Sequence, residues 1–131
     1  MSKLNGKQFV VTGATGFLGS AFVRHVVHHG AFVRVIARGG ADHWRLRDVK
    51  GLYTCTIGAL ADLQTIDLEL PQVDALVHFA AAGVDQRFDN VSELVETNII
   101  GTLRALELAQ RVRARKFVLL GSSGEYGTGE F

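Results

Sequence analysis

The sequence predicts an α/β fold, a doubly wound parallel sheet of about five strands in the order 3-2-1-4-5. Two observations carry this. Short apolar runs alternate with longer segments of helical period, the βαβ pattern of a parallel sheet covered on both faces. Right-handed crossovers between successive parallel strands then give that strand order.

The first strand falls at about Lys7–Thr12. A helix comes next, from about Phe17 to His29, with Phe17, Leu18, Ala21, Phe22 and Val26 on one stripe. Gly30 stands where a C-cap glycine belongs. The second strand is Ala31–Ala37, a short helix covers roughly Asp42–Val49, and the third strand is Leu52–Ile57. Asp62 can N-cap a brief helix that Pro71 separates from the next strand. The fourth strand is Val73–Phe79. The longest helix runs from about Val91 to Arg113, where Val91, Leu94, Val95, Ile99, Leu103, Leu106 and Ala109 recur every three or four positions. Gly101 interrupts it at a cost of about 1 kcal/mol relative to alanine, so close packing or ligand approach is expected there. The fifth strand is Lys116–Gly121, and the ten residues SSGEYGTGEF after it have turn composition.

A chain of 131 residues, 47% hydrophobic and 21% charged, suffices for one compact domain and is too short for two. The formal charge is +1, from 14 Lys and Arg against 13 Asp and Glu. That balance excludes a nucleic-acid binder acting through bulk charge, and no basic run marks an anchor to anionic membrane. The single cysteine, Cys55, excludes an internal disulfide and a cysteine-based zinc site. MSKLNGKQ lacks the apolar core of a signal peptide, and no apolar run reaches the ~18 residues of a membrane span. A cytoplasmic protein is the expectation. Trp44 and Cys55 read as packing residues. His25, His28 and His29 lie on the first helix without a carboxylate cluster, so they read as partly solvated surface. His78 ends the fourth strand and reads as a buried, hydrogen-bonded histidine.

The most informative stretch is FVVTGATGFLGSAFV, residues 9–23. It places Gly13, Gly16 and Gly19 between a strand and an amphipathic helix. The first glycine allows a tight turn out of the strand, the second lets backbone approach a pyrophosphate, and the third lets helix and strand pack closely. The helix N-terminus adds free N–H groups and a positive dipole end. A second strand ends about 20 residues later, as a Rossmann-like dinucleotide-binding fold requires. Residues 1–131 thus read as one dinucleotide-binding domain.

TGATGFLG resembles the TGxxGxxG loop of the short-chain dehydrogenase/reductase superfamily, in its extended branch of NAD(P)-dependent epimerases and dehydratases. Three further stretches occur in that family's order. VDALVHFAA, residues 73–81, looks like the fourth strand and the cofactor-contacting loop after it. ETNIIGTLRALELA, residues 96–109, looks like the helix with the Asn-x-x-Gly-Thr pattern. KFVLLGSSGEYG, residues 116–127, looks like the fifth strand and its Ser-Ser-x-x-Tyr-Gly end. The resemblance covers essentially the whole chain and implies a cofactor site at Gly13, Thr15, Gly16, Phe17, Leu18, Gly19, Arg38, Ala59, Leu60, Phe79, Ala80, Ala81 and Asn98.

The choice of dinucleotide turns on the end of the second strand. NAD-preferring folds place there a carboxylate that accepts from the ribose 2′-OH. Here Ala37 is followed by Arg38, whose guanidinium can bind a 2′-phosphate and stack on adenine. NADP is favoured over NAD, and Arg45 and Arg47 add charge if their helix turns that way. The alternative for Arg38 is a solvated arginine at a strand end. The family's adenine pocket places Gly-Asp-hydrophobic after the third strand. Here it reads Gly58-Ala59-Leu60, so Leu60 can pack on the ring but Ala59 has no side-chain acceptor. Asp62 nearby reads first as a helix cap.

By its spacing to Tyr126-Gly127, Ser122 falls at the family's catalytic Ser/Thr, with Ser123 beside it. Its hydroxyl can donate to a substrate oxygen. The alternative is two turn-forming serines. Asn98 has a family parallel that orders the active-site region, against ordinary helix-surface polarity. The family's general acid/base is a Tyr with a Lys four residues on. Four beyond Tyr53 is Ile57, and four beyond Tyr126 is Glu130, so neither makes the pair. The expectation is a chain truncated before that pair, the sixth strand and the substrate domain. The resemblance implies a parent acting on a nucleotide-activated sugar, as epimerase, dehydratase or reductase, with a homodimer contact through the long helix. The isolated chain is expected to be inactive. The alternative is a non-catalytic NADP-sensing or scaffolding member, and a third reading pairs the chain with a separate one carrying the rest.

Overall fold

The structure is a computed structural model that describes residues 2–70, 72–83 and 90–127. Pro71, with its expected helix-closing role, and Glu130 lie outside the described residues. The order of elements is β1 (Gln8–Thr12), α1 (Phe17–His28), β2 (Phe32–Ala37), β3 (Thr54–Ile57), β4 (Ala75–His78), α2 (Val91–Leu94), α3 (Gly101–Arg111) and β5 (Phe117–Leu119). Short 3₁₀ turns lie at Trp44–Val49, Leu60–Gln64 and Ser123–Tyr126, and a π-helical segment at Val95–Ile100 joins α2 to α3.

The five strands form one parallel sheet in the order β3-β2-β1-β4-β5. β1 and β4 are apolar on both faces because both are covered. Val11, Val33 and Val35 pack with Val23, Val26 and Val27 of α1, and with Leu46 and Val49. Val10, Ile36 and Leu76 pack on the other face with Ala105, Leu108 and Ala109 of α3, and with Leu63. Thus both central strands are locked between helical layers.

β1 and β4 are also clasped at both ends. Asp74, just before β4, accepts from Lys7 Nζ and from the Gln8 backbone N–H, both at 2.9 Å. The N–H bond of Gln8, then Lys7, hold its carboxyl below the usual carboxylate range. At the other end Thr12 Oγ1 and His78 Nδ1 are 2.6 Å apart.

Four expectations about elements need correction. On α1 the buried residues are Gly19, Ser20, Val23, Val26 and Val27. Phe17, at 78% exposed, and Leu18 face outward. The loop beneath α1 leaves room only for small side chains in its first turn, so the larger ones turn away. The short helix after β2 is a 3₁₀ turn starting at Trp44. Asp62 is not the N-cap of the next turn. Ala59 holds that position, and the Asp62 carboxylate accepts its N–H at 2.7 Å. The long helix is interrupted by the π segment, and most of its predicted stripe is exposed: Val91, Val95, Ile99, Leu103 and Leu106 face out, while Ala105, Leu108 and Ala109 join the core over the sheet and Gly101 packs against Leu60. The reason is again steric, since small residues let α3 lie close to β4.

Trp44 and Cys55 are exposed and do not pack in a core. Cys55 lies on the edge strand β3, and Trp44 carries the Arg45 guanidinium over its ring at 4.3 Å. His25, His28 and His29 are exposed on and just after α1, and His78 is buried, as expected. Among the described residues no helix is long and apolar enough to cross a membrane.

Candidate functional site: a cleft at the switch point of the sheet

Strand order reverses between β1 and β4, and open α/β sheets bind ligands outside the C-terminal ends of the strands at that point. A cleft of about 510 Å³ lies there. Its walls come from the glycine loop at Thr12–Gly16, the end of β2 at Ile36–Arg38, Gly58–Ala61 after β3, the Phe79–Ala82 loop after β4, and Glu93, Glu96 and Thr97.

The glycine loop makes the tight turn at Gly13 and the close packing at Gly19 that its spacing predicts. Gly13 has φ +69°, which L side chains rarely adopt, and a Cβ there would strike the backbone of Phe79 and Ala80. Gly13 therefore does two things, turning the chain out of β1 and letting it touch the β4 loop. A Cβ on Gly16 would come only within 3.3 Å of Gly13 O. A Cβ on Gly19 would strike Gly13 O and lie 2.9 Å from the Ala14 Cα, so this glycine seats α1 on the loop. The first turn of α1 carries no acidic residue and its cap makes no side-chain bond, so its N-terminal donors remain available to an anion.

Of the residues expected to contact a cofactor, Gly13, Thr15, Gly16, Arg38, Ala59, Leu60, Phe79, Ala80 and Ala81 line this cleft together. Phe17, Leu18, Gly19 and Asn98 do not line it. Asn98 acts behind it: its Oδ1 accepts from Ala82 N–H at 2.8 Å and its Nδ2 donates to Ala82 O at 3.0 Å. This pair of bonds pins the loop after β4, and the π segment sets the side chain at that height. Leu60 serves the cleft wall and also fills the space above Gly101, whose Cβ would lie 2.6 Å from Leu60 Cδ1. Close packing is thus the reason for Gly101.

Arg38 is exposed at the mouth. Arg45 does not join it. Its Nη1 donates to Thr15 O at 3.3 Å, and Arg45 and Arg47 line a separate surface hollow with Trp44. Glu93, Glu96 and Thr97 went unnoticed in the sequence, although the residues before Asn98 sit one turn earlier on the same segment. Glu96 is paired with Arg104 at 2.6 Å.

Ser122 and Ser123 also lie off the cleft, in the exposed turn after β5. Ser122 caps that turn. Its Oγ accepts from Gly124 N–H at 3.1 Å, and its own N–H donates to Glu125 Oε1 at 2.9 Å. The hydroxyl proton takes no part in these bonds. Tyr126 is exposed, whereas the Tyr53 hydroxyl meets His43 Nδ1 at 2.9 Å and burial raises its pKa.

A parallel five-stranded sheet with a glycine turn at its switch point defines a Rossmann-like α/β protein. The description "NAD dependent epimerase/dehydratase family" matches residues 9–131, and the chain belongs to that family. It is 36% identical over 109 residues to dTDP-glucose 4,6-dehydratase of Haemophilus influenzae, covering 77% of this chain and 32% of that protein. It is 33% identical over 127 residues to UDP-glucuronic acid decarboxylase 2 of Arabidopsis thaliana, covering 95% and 28%. Among solved structures, the Bordetella bronchiseptica enzyme WbmH in complex with NAD+ superposes with a TM-score of 0.79 at 26% identity, covering 95% of this chain and 42% of that one. The chain thus spans well under half the length of these relatives.

Proposed function

We propose that this chain is the dinucleotide-binding portion of an enzyme that transfers a hydride at a carbon of a nucleotide-activated sugar. The observation that carries this reading is the cleft, where nine of the thirteen expected cofactor residues converge on the switch point of the sheet. A dinucleotide would lay its pyrophosphate on Gly13–Gly16 and the N-terminus of α1, its adenine near Leu60, and its nicotinamide end toward Phe79–Ala81. When bound it supplies the hydride acceptor and donor. The residues of this chain bind and orient it. Asn98 holds the Ala82 loop, and Ser122, in the exposed turn after β5 and outside the cleft lining, is proposed to donate its hydroxyl proton to a sugar oxygen. The names of the dTDP-sugar and UDP-sugar relatives support the substrate class. The parent is proposed as a cytoplasmic homodimer joined through the exposed apolar stripe of α2 and α3.

NADP is the preferred form in this proposal. Ala37 offers no carboxylate to the ribose, and Arg38 stands at the cleft mouth with its charge available to a 2′-phosphate. Titration calorimetry should show NADPH binding about tenfold more tightly than NADH, with the difference abolished by Arg38→Ala. Equal or reversed affinities would remove the Arg38 assignment. Neither tyrosine has a lysine four residues on, so the chain alone is expected to show negligible turnover.

A further inference from the structure

We propose that the buried Thr12–His78 pair is a positioning couple for the cleft, holding the glycine loop and the β4 loop at their working separation. The inference deepens the dinucleotide-binding reading and rests on it for its functional consequence.

Thr12 and His78 are register partners, the last residues of β1 and β4. Each is 1% exposed. The chain leaves Thr12 directly into Gly13, and leaves His78 directly into Phe79 and Ala80. Those are the two backbones that touch where a Gly13 Cβ would lie. The backbone continues the link, since Phe79 N–H donates to Thr12 O at 3.0 Å. Thr12 itself forms part of the cleft wall. A side-chain bond of 2.6 Å across this point therefore sets how far apart the two loops begin.

The residue types suit that role better than an apolar pair would. Two valines would fill the space and bury more apolar area, but they fix no distance. A hydroxyl and an imidazole nitrogen hold one separation and one ring orientation. The cost is visible on the other side of the ring, where His78 Nε2 is buried without a partner among the described residues. The Phe117 ring lies beside the imidazole, with centroids 6.4 Å apart and planes at 24°. His78 also accepts at its backbone oxygen from Leu120 N–H at 3.2 Å, so its main chain ties β4 to the strand that leads to Ser122.

The test compares Thr12→Val, which keeps shape and removes the hydroxyl, with Thr12→Ser, which keeps the hydroxyl. His78→Asn keeps a polar atom near the Nδ1 position, and His78→Leu removes it. Binding of NADH and NADPH is measured by calorimetry on folded protein, with circular dichroism as the check on folding. Amide resonances of Gly13 and Ala80 report the loop spacing without any ligand. The expected result is about tenfold weaker binding for Thr12→Val and His78→Leu, with Thr12→Ser and His78→Asn within about twofold of the parent. Read across the strand pair from each substitution, the Ala80 amide should shift in Thr12→Val and the Gly13 amide in His78→Leu, and neither should do so in Thr12→Ser or His78→Asn. If folded Thr12→Val binds as the parent does and leaves the Ala80 amide in place, the pair is packing alone and the inference fails. If the parent binds neither dinucleotide, the functional reading fails, and the amide shifts still decide whether the pair sets the loops.

Discussion

At the scale of residues, two buried or bonded ionisable groups set how stability responds to acid. Burial holds the His78 imidazole below its ordinary pKa of 6.5, so it is neutral in the folded chain. The unfolded chain takes up a proton there once the pH falls below about 6.5, and the folded chain does so only at lower pH. The unfolded state then binds more protons, and stability falls as the pH drops through that window. Asp74 acts lower down. Its bonds to Gln8 and Lys7 depress its pKa, so its contribution is full above the unfolded value of 3.8 and is lost as the pH falls through the folded one. Urea unfolding should therefore show a lower midpoint at pH 5.5 than at pH 7.5, with a further fall below about pH 3.8. His78→Asn should lose most of the first step and keep the second. A midpoint that is flat from pH 7.5 to 5.5 in the parent would show that His78 does not carry it.

At the scale of elements, small residues decide how helices meet the sheet. Gly19→Ala tests this on α1. Alanine is the better helix former by about 1 kcal/mol, but the added methyl has only backbone to strike, at Gly13 O and Ala14 Cα. Overpacking of this kind costs about 1–3 kcal/mol, so the net expectation is a lower urea midpoint together with weaker dinucleotide binding. The same steric rule explains what the sequence could not disclose. The glycine spacing made the loop legible, because glycine at Gly13 and Gly19 has few other uses, while the strand order followed from the βαβ alternation and most of the cleft lining from the family resemblance. The facing of α1 was misread because apolar periodicity identifies a stripe without saying what covers it. Phe17 and Leu18 look like core residues until the loop beneath them leaves room only for Gly19 and Ser20. The π segment left no compositional trace, and with it went the link from Asn98 to Ala82. Trp44 and Cys55 were misjudged by residue type, since an edge strand and a 3₁₀ turn can leave such residues in solvent.

At the scale of the whole molecule, the exposed stripe of the long helical run matters most. Val95, Ile99, Leu103 and Leu106 face solvent over about three turns of helix, and apolar area gathered this way marks an interface more often than a free surface. Ile99→Glu with Leu103→Glu should reduce self-association in sedimentation velocity while leaving the unfolding midpoint nearly unchanged, because neither side chain belongs to a core cluster. A monomeric parent would end the homodimer proposal. The clasp between β1 and β4 has one more consequence, which concerns timing on the ribosome. β1 lies at the centre of the sheet, yet Thr12 and its partner His78 are 66 positions apart in sequence. β1 can pair with β2 as soon as that strand emerges. Its other edge, the run QFVVT, must then wait for roughly 40 further residues, a few seconds at ~5–20 residues per second. During that interval the second edge of this apolar strand is open to pairing with another chain. The arrival of β4, with Asp74 at one end and His78 at the other, closes it, so the contacts that join the two central strands also end an interval of exposed strand edge during synthesis.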